Sequence, residues 1–262
     1  MLSRRERRSG MRNILIIGIG AGNPDHMTVE AIEALNRADI LFIPDKGEEK
    51  GALRALREAI CARFIRKPDY RTVPVAIPRR AEAGNDYHGV VDDWHERIAA
   101  RYRALLEAEL QDGQTGALLV WGDPALYDST LRIMERVAAS GFDLDWQVYP
   151  GISSVQVLAA RHRIPLNTIG APILITTGRR LAAGFPADQD SVVVMLDGEQ
   201  TFGRIDPAGL DIFWGAYLGT PDEILRAGPL TELSAEIAAV RAEARARHGW
   251  IMDTYLLRRR PA

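Results

Sequence analysis

Short apolar runs alternate with amphipathic stretches along the whole chain, and this rhythm leaves few folds open. Strand-length runs separated by stretches of helical periodicity mark βαβ units, so the expectation is an α/β architecture with largely parallel sheets. In the first half, strands are expected at Ile14–Gly18, at Ile40–Ile43 running into Pro44-Asp45, at Ala117–Trp121 and at Asp145–Tyr149. Val73–Pro78 reads as extended, its prolines confining it to a sheet edge or to a strand that runs into a loop. Helices are expected at Thr28–Ala38, at about 50–65, around Trp94–Leu106, and from a Ser129 or Thr130 cap to Gly141. Arg79–Gly89 reads as a mobile loop. The pattern then restarts: helix Ser153–Arg163, strands Ile173–Thr177, Ser191–Leu196 and Asp211–Leu218, helix Ser234–His248, and an alternating stretch Trp250–Leu257.

A chain of 262 residues suits two domains of modest size, expected at 11–152 and 153–262, with 1–10 as a disordered leader. No long linker divides them, so they are expected to pack directly and share a ligand-holding cleft. A net charge of −2 argues against a general nucleic-acid or membrane-surface binder. No apolar run approaches the roughly 20 residues of a membrane span. The single cysteine, Cys61, admits neither an internal disulfide nor a multi-cysteine zinc site, which points to the cytoplasm. His26, His95, His162 and His248 show no metal-ligand spacing, so no metal is expected.

Ligands of parallel sheets lie beyond the carboxyl ends of the strands, which gives weight to three loops. They are Gly18-Ile19-Gly20-Ala21-Gly22-Asn23-Pro24, Gly122-Asp123-Pro124-Ala125-Leu126-Tyr127 and Tyr149-Pro150-Gly151-Ile152-Ser153-Ser154. The first is not a dinucleotide fingerprint. Its third glycine arrives one residue early, Pro24 removes an amide, and Thr28 is the first good N-cap, so a pyrophosphate finds no helix N-terminus. A nucleoside-type cofactor without phosphates fits better. Singly, each loop is an ordinary turn.

In this order and spacing the three loops resemble those of the tetrapyrrole methylases, the S-adenosylmethionine-dependent family that builds the corrin ring and sirohaem. Further likeness lies at Thr28-Val29-Glu30-Ala31, Ala38-Asp39-Ile40, Ile175-Thr176-Thr177-Gly178, Val192-Val193-Val194 and Gly219-Thr220. Within the family, I-P-D-K-G at 43–47, W-G-D-P-A-L-Y-D-S-T at 121–130 and W-G-A-Y-L-G-T-P-D-E-I-L at 214–225 point to the branch that methylates C1 of precorrin-5 with loss of acetate. The resemblance implies two α/β domains with the active site in the cleft between them, a homodimer, and S-adenosylmethionine held by Pro24, Trp121, Gly122, Asp123, Leu126, Ser153, Ser154 and Leu196. This chain has Trp121-Gly122-Asp123 where the family often has Gly-Gly-Asp, and Leu196 where a methionine is usual.

Methyl transfer from a sulfonium is an in-line displacement that needs aim and dryness rather than a side-chain nucleophile. Removal of the acetyl group needs water, and a general base beside it helps. Asp45 is the first candidate for that base, with Asp123 and Tyr127 as alternatives. The substrate is a polycarboxylate, for which Arg179 and Arg180 after a strand end and Arg79, Arg80 and His88 in the 79–89 loop are candidate partners. Three other readings stay open at this point: another tetrapyrrole methylase or an rRNA or diphthamide methyltransferase of the same fold, an NAD-dependent oxidoreductase with Asp45 as the ribose-binding acid, and a catalytically silent ligand-binding protein.

Overall fold

The computed structural model describes residues 11–45, 51–77 and 87–260. They form two compact units, one joining the residues up to Gly20 with Pro24–Ile152, the other joining Ala21–Asn23 with the chain from Ser153 onward.

The first unit is built on a five-stranded sheet of β1 (Arg12–Gly18), β2 (Ile40–Asp45), β3 (Arg71–Ala76), β4 (Thr115–Val120) and β5 (Leu144–Tyr149), ordered β3-β2-β4-β1-β5 and parallel throughout. Successive side chains of a strand face opposite ways, so a sheet covered on both faces needs an uninterrupted apolar run. β1 shows this directly. Ile14 and Ile16 pack with α3 (Tyr87–Glu109) and α4 (Thr130–Ala139), while Leu15 and Ile17 pack with α1 (Val29–Leu35) and α2 (Gly51–Phe64). Thr28 caps α1 through its Oγ1, which accepts from the amide of Ala31 at 3.1 Å. β3, which contains Pro74, lies at the sheet edge, the position in a sheet where proline is tolerated. The pairing of β2 with β4 stops at Phe42 opposite Leu118, while β2 continues against β3 to Asp45 opposite Ala76. Arg57 of α2 donates from Nε to the Leu119 carbonyl at 3.1 Å, just beyond the last β2–β4 pair.

The second unit corrects one expectation. Its sheet comprises β6 (Leu174–Thr177), β7 (Ser191–Met195), β8 (Leu210–Ala216), β9 (Ile224–Pro229) and β10 (Asp253–Arg259), ordered β6-β7-β10-β8-β9. Only β6 and β7 are parallel among these described strands; the other three pairings are antiparallel. The short turn from Tyr217 to Glu223 reverses the chain between β8 and β9, and β10 enters between β7 and β8 running against both. α5 (Ser154–His162), α6 (Gly178–Leu181) and α7 (Leu230–His248) complete the unit. Trp214, Tyr255 and Phe202 are fully buried at its centre, the Phe202 and Tyr255 rings meeting edge to face at 5.3 Å. No helix among the described residues is long and apolar enough to cross a membrane.

Candidate active site

In the first unit the three glycine-bearing loops meet at the carboxyl end of the sheet. A Cβ on Gly18 would lie 2.5 Å from the Gly151 nitrogen and 2.9 Å from the Gly122 carbonyl oxygen, and one on Gly151 would overlap that same oxygen. Gly20 and Gly122 form a two-way backbone bridge, N···O 2.9 and 3.3 Å, with φ of 80° and 70° that suit glycine. Asp123 ties the second loop to the third: Oδ1 accepts from the Ala125 amide at 2.8 Å and Oδ2 from the Gly151 amide at 2.9 Å. Both carboxylate oxygens therefore hold backbone, which leaves Asp123 better suited to fixing the loops than to taking a proton from water. Glycine here serves loop-on-loop contact, a use that spacing along the chain does not reveal.

The loop after β1 continues into a single 3-10 turn, Pro24–His26, before Thr28 and α1. The helix N-terminus is thus held off the strand end, as the sequence suggested. Trp121 and Leu126 are half-buried beside Gly122 and Asp123. Tyr127 is 43% exposed with φ 53°, in the left-handed region that non-glycine residues seldom adopt, and partial burial pushes its phenol pKa up. A phenol so shifted stays protonated and donates. Asp45 is the last residue of β2, at the same carboxyl end of the sheet. His88 falls in the first turn of α3 rather than in a loop, because the helix begins at Tyr87. Arg79 and Arg80 lie outside the described residues, as do residues 1–10.

In the second unit β6, β7 and β8 point the same way, so their carboxyl ends share one edge of the sheet with the start of β10. Arg179 and Arg180 follow β6 in α6 and are exposed. Leu196 follows β7 with φ 55° and is 66% exposed. Tyr217 follows β8 with φ 50°. Ser154 reaches the same edge, its Oγ 2.9 Å from Oγ1 of Thr254 in β10. Ser153 caps α5 in a reciprocal box: its Oγ accepts from the Val155 amide at 3.2 Å while Gln156 Oε1 accepts from the Ser153 amide at 3.1 Å. Its hydroxyl is thereby committed to the helix, and it is only 3% exposed.

Beneath this edge lies a polar set that sequence reasoning did not single out. Arg241 of α7 and Asp253 form an ion pair at 2.9 Å with side chains 5% and 6% exposed, and Asp253 also accepts from Trp214 Nε1 at 2.9 Å. Asp197 accepts from the Tyr255 hydroxyl at 2.6 Å. Burial, and secondly the Asp197 carboxylate, push the Tyr255 phenol far up, so it remains a donor. Among the described residues no group of three or more His, Cys, Asp or Glu could hold a metal ion. A cavity of about 350 Å³ in the first unit is lined by Asn13, Arg37, Asp39, Thr115 and Gln147, which places it toward the amino ends of the strands, away from the glycine loops.

Residues 13–234 match the family model described as Tetrapyrrole (Corrin/Porphyrin) Methylases. The chain is 57% identical over 252 residues to a Sinorhizobium sp. protein named precorrin-6A synthase (deacetylating), covering 96% of this chain and 97% of the relative. It superposes with a TM-score of 0.81 on the crystal structure of a cobalamin-synthesis-related protein (CobF) from Corynebacterium diphtheriae, at 39% identity over 96% of this chain and 100% of the other. A uroporphyrin-III C-methyltransferase from Thermus thermophilus, solved with S-adenosyl homocysteine, shares the fold at 16% identity and a TM-score of 0.57, covering 94% of this chain and 91% of that one.

Proposed function

The chain belongs to the tetrapyrrole (corrin/porphyrin) methylases, and on that premise we propose that it is the S-adenosylmethionine-dependent methyltransferase of cobalamin biosynthesis that converts precorrin-5 to precorrin-6A with loss of acetate. The observation that carries this reading is the 57% identity to a deacetylating precorrin-6A synthase, sustained across nearly the full length of both chains. The local structure suits the cofactor. The loop after β1 meets no helix N-terminus to cradle a pyrophosphate, and exposed Leu196 offers apolar surface to a ligand without phosphates.

When bound, S-adenosylmethionine supplies a methyl group on an electrophilic sulfonium. Pro24, Trp121, Gly122, Asp123, Leu126, Ser153, Ser154 and Leu196 are the residues assigned to holding it. Ser153 and Asp123 act through backbone, since their side chains already serve Val155, Ala125 and Gly151. Asp45, ending β2, is assigned to take the proton from the water that adds to the acetyl carbonyl on C1 of precorrin-5. Cleavage of the carbon–carbon bond would release acetate and leave an electron pair on C1, for which bound S-adenosylmethionine would supply the methyl group. Tyr127, a donor by its raised pKa, is assigned to the acetyl oxygen as negative charge gathers there. Arg179 and Arg180, with Arg79, Arg80 and His88, are assigned to the carboxylates of the precorrin. We place the enzyme in the cytoplasm as a homodimer; the lone buried thiol of Cys61 agrees with a reducing compartment.

Calorimetric titration with S-adenosylhomocysteine and with NAD⁺ tests the cofactor: the first should bind and the second should not, and the reverse would defeat the reading. Light scattering on a sizing column checks the dimer, a mass near one chain counting against it.

A further inference from the structure

Leu196 sits where the backbone alone would not put it. A large apolar residue in the left-handed region is disfavoured twice over when its side chain is also left in solvent. The next residue, Asp197, is by contrast only 5% exposed, and all three of its oxygens accept hydrogen bonds. Its Oδ2 accepts from the Thr201 amide at 2.7 Å and the Tyr255 hydroxyl at 2.6 Å, and its Oδ1 from the Thr201 hydroxyl at 2.8 Å. Its carbonyl accepts from Arg241 Nη2 at 3.2 Å. Arg241 is anchored in turn by Asp253. Gly178 closes the last side, since any Cβ there would overlap the Asp197 carboxyl group.

Groups from α6, α7, β10 and the 201–203 turn thus converge on one residue. A buried ionic set of this kind is seldom the most stable way to fill a core. It does fix geometry: with Asp197 held through its carboxylate and its carbonyl, the backbone that follows Leu196 is pinned, which restricts the directions open to the Leu196 side chain.

We propose that Asp197 is a positioning residue, clamped by Thr201, Tyr255 and Arg241 so that Leu196 is held left-handed with its side chain aimed outward as a preformed apolar contact for the cofactor. This rests on the cofactor assignment of Leu196 made above. Preorganisation of this kind raises affinity by removing the ordering that binding would otherwise require.

The test is a double-mutant cycle read by titration with S-adenosylhomocysteine, with thermal midpoints taken alongside. Leu196→Ala and Tyr255→Phe should each weaken binding about tenfold, and the double variant should be no weaker than Leu196→Ala alone, because the clamp works through Leu196. Asp197→Asn should follow Tyr255→Phe; should it fail to fold, Tyr255→Phe, which keeps the ring in the core, still decides the matter. In turnover, Tyr255→Phe should raise KM for S-adenosylmethionine while kcat changes less than twofold. Losses that multiply in the double variant, or a Tyr255→Phe variant that binds like wild type, would overturn the proposal. A wild-type chain that binds no S-adenosylhomocysteine would overturn the cofactor reading and this proposal together, whereas wild-type binding with a multiplicative cycle would overturn the clamp alone.

Discussion

Gly151→Ala should disable the loop junction of the first unit by steric means alone. The added methyl would overlap the Gly122 carbonyl oxygen and lie 2.9 Å from both the Cα and the carbonyl carbon of Gly18. Carbon atoms at rest stay about 3.5–4.0 Å apart, so the third loop must retreat by roughly an ångström from two others, and backbone atoms cannot swing aside as a side chain would. Overpacking of this kind costs about 1–3 kcal/mol. The retreat also stretches the 2.9 Å bond from the Gly151 amide to Asp123, a charged hydrogen bond whose loss costs about 1.5–3 kcal/mol. Together these give about 3–5 kcal/mol, or roughly 10 °C in thermal midpoint for a chain of this size. Gly141→Ala is the control: Gly141 has φ 81° and nothing within 4 Å of its missing Cβ, so the substitution should cost about 1–2 kcal/mol of backbone strain only. Melting curves by circular dichroism and titration with S-adenosylhomocysteine read the difference. Gly151→Ala should lose at least tenfold in affinity, since it moves residues assigned to the cofactor, while Gly141→Ala keeps wild-type affinity. A Gly151→Ala protein with wild-type midpoint and affinity would show that the junction tolerates the added methyl.

Asp45→Asn should slow acetate release while leaving S-adenosylhomocysteine affinity nearly intact; unchanged turnover of precorrin-5 would remove Asp45 from the role. Asp253→Ala strands the buried Arg241 guanidinium and the Trp214 Nε1, and should destabilise by about 3–5 kcal/mol in urea unfolding; a loss below 1 kcal/mol would show the pair to be inconsequential. Burial holds His162 below the usual histidine pKa, with Nε2 3.1 Å from the Trp214 carbonyl. A depressed folded-state value favours the neutral ring, so its contribution is complete above about pH 6.5 and is lost as pH falls through the folded pKa. Midpoints measured from pH 7.5 to 5 should therefore fall more steeply for wild type than for His162→Gln; parallel slopes would contradict this.

Much of the fold was legible because two-sided burial leaves an uninterrupted apolar run, as in Ile14–Ile17, and because glycine or proline ends such runs. Thr28 and Ser153 were legible as caps, or as loop residues at a helix start, for the same local reason. β9 was not: Ile224–Pro229 contains Arg226, Gly228 and Pro229, and becomes a strand only through its pairing with β8. The direction of β8 and β10 was equally hidden, since an apolar strand buried in a sheet reads the same whichever way its neighbours run. The helix α7 begins at Leu230, ahead of the expected Ser234, because Leu230 is fully buried against the second core. At the candidate site, residues on strand ends were foreseen, whereas Asp197, Arg241, Asp253 and Tyr255 were not. Their meaning lies in contacts across 12–58 positions of sequence, which no local pattern records.

In the proposed reaction one catalytic cycle both methylates C1 and expels acetate. Incubation of the pure protein with precorrin-5 and methyl-labelled S-adenosylmethionine measures both at once. Labelled precorrin-6A and free acetate should form in equal amounts; labelled tetrapyrrole formed without acetate would rule out the deacetylating reaction.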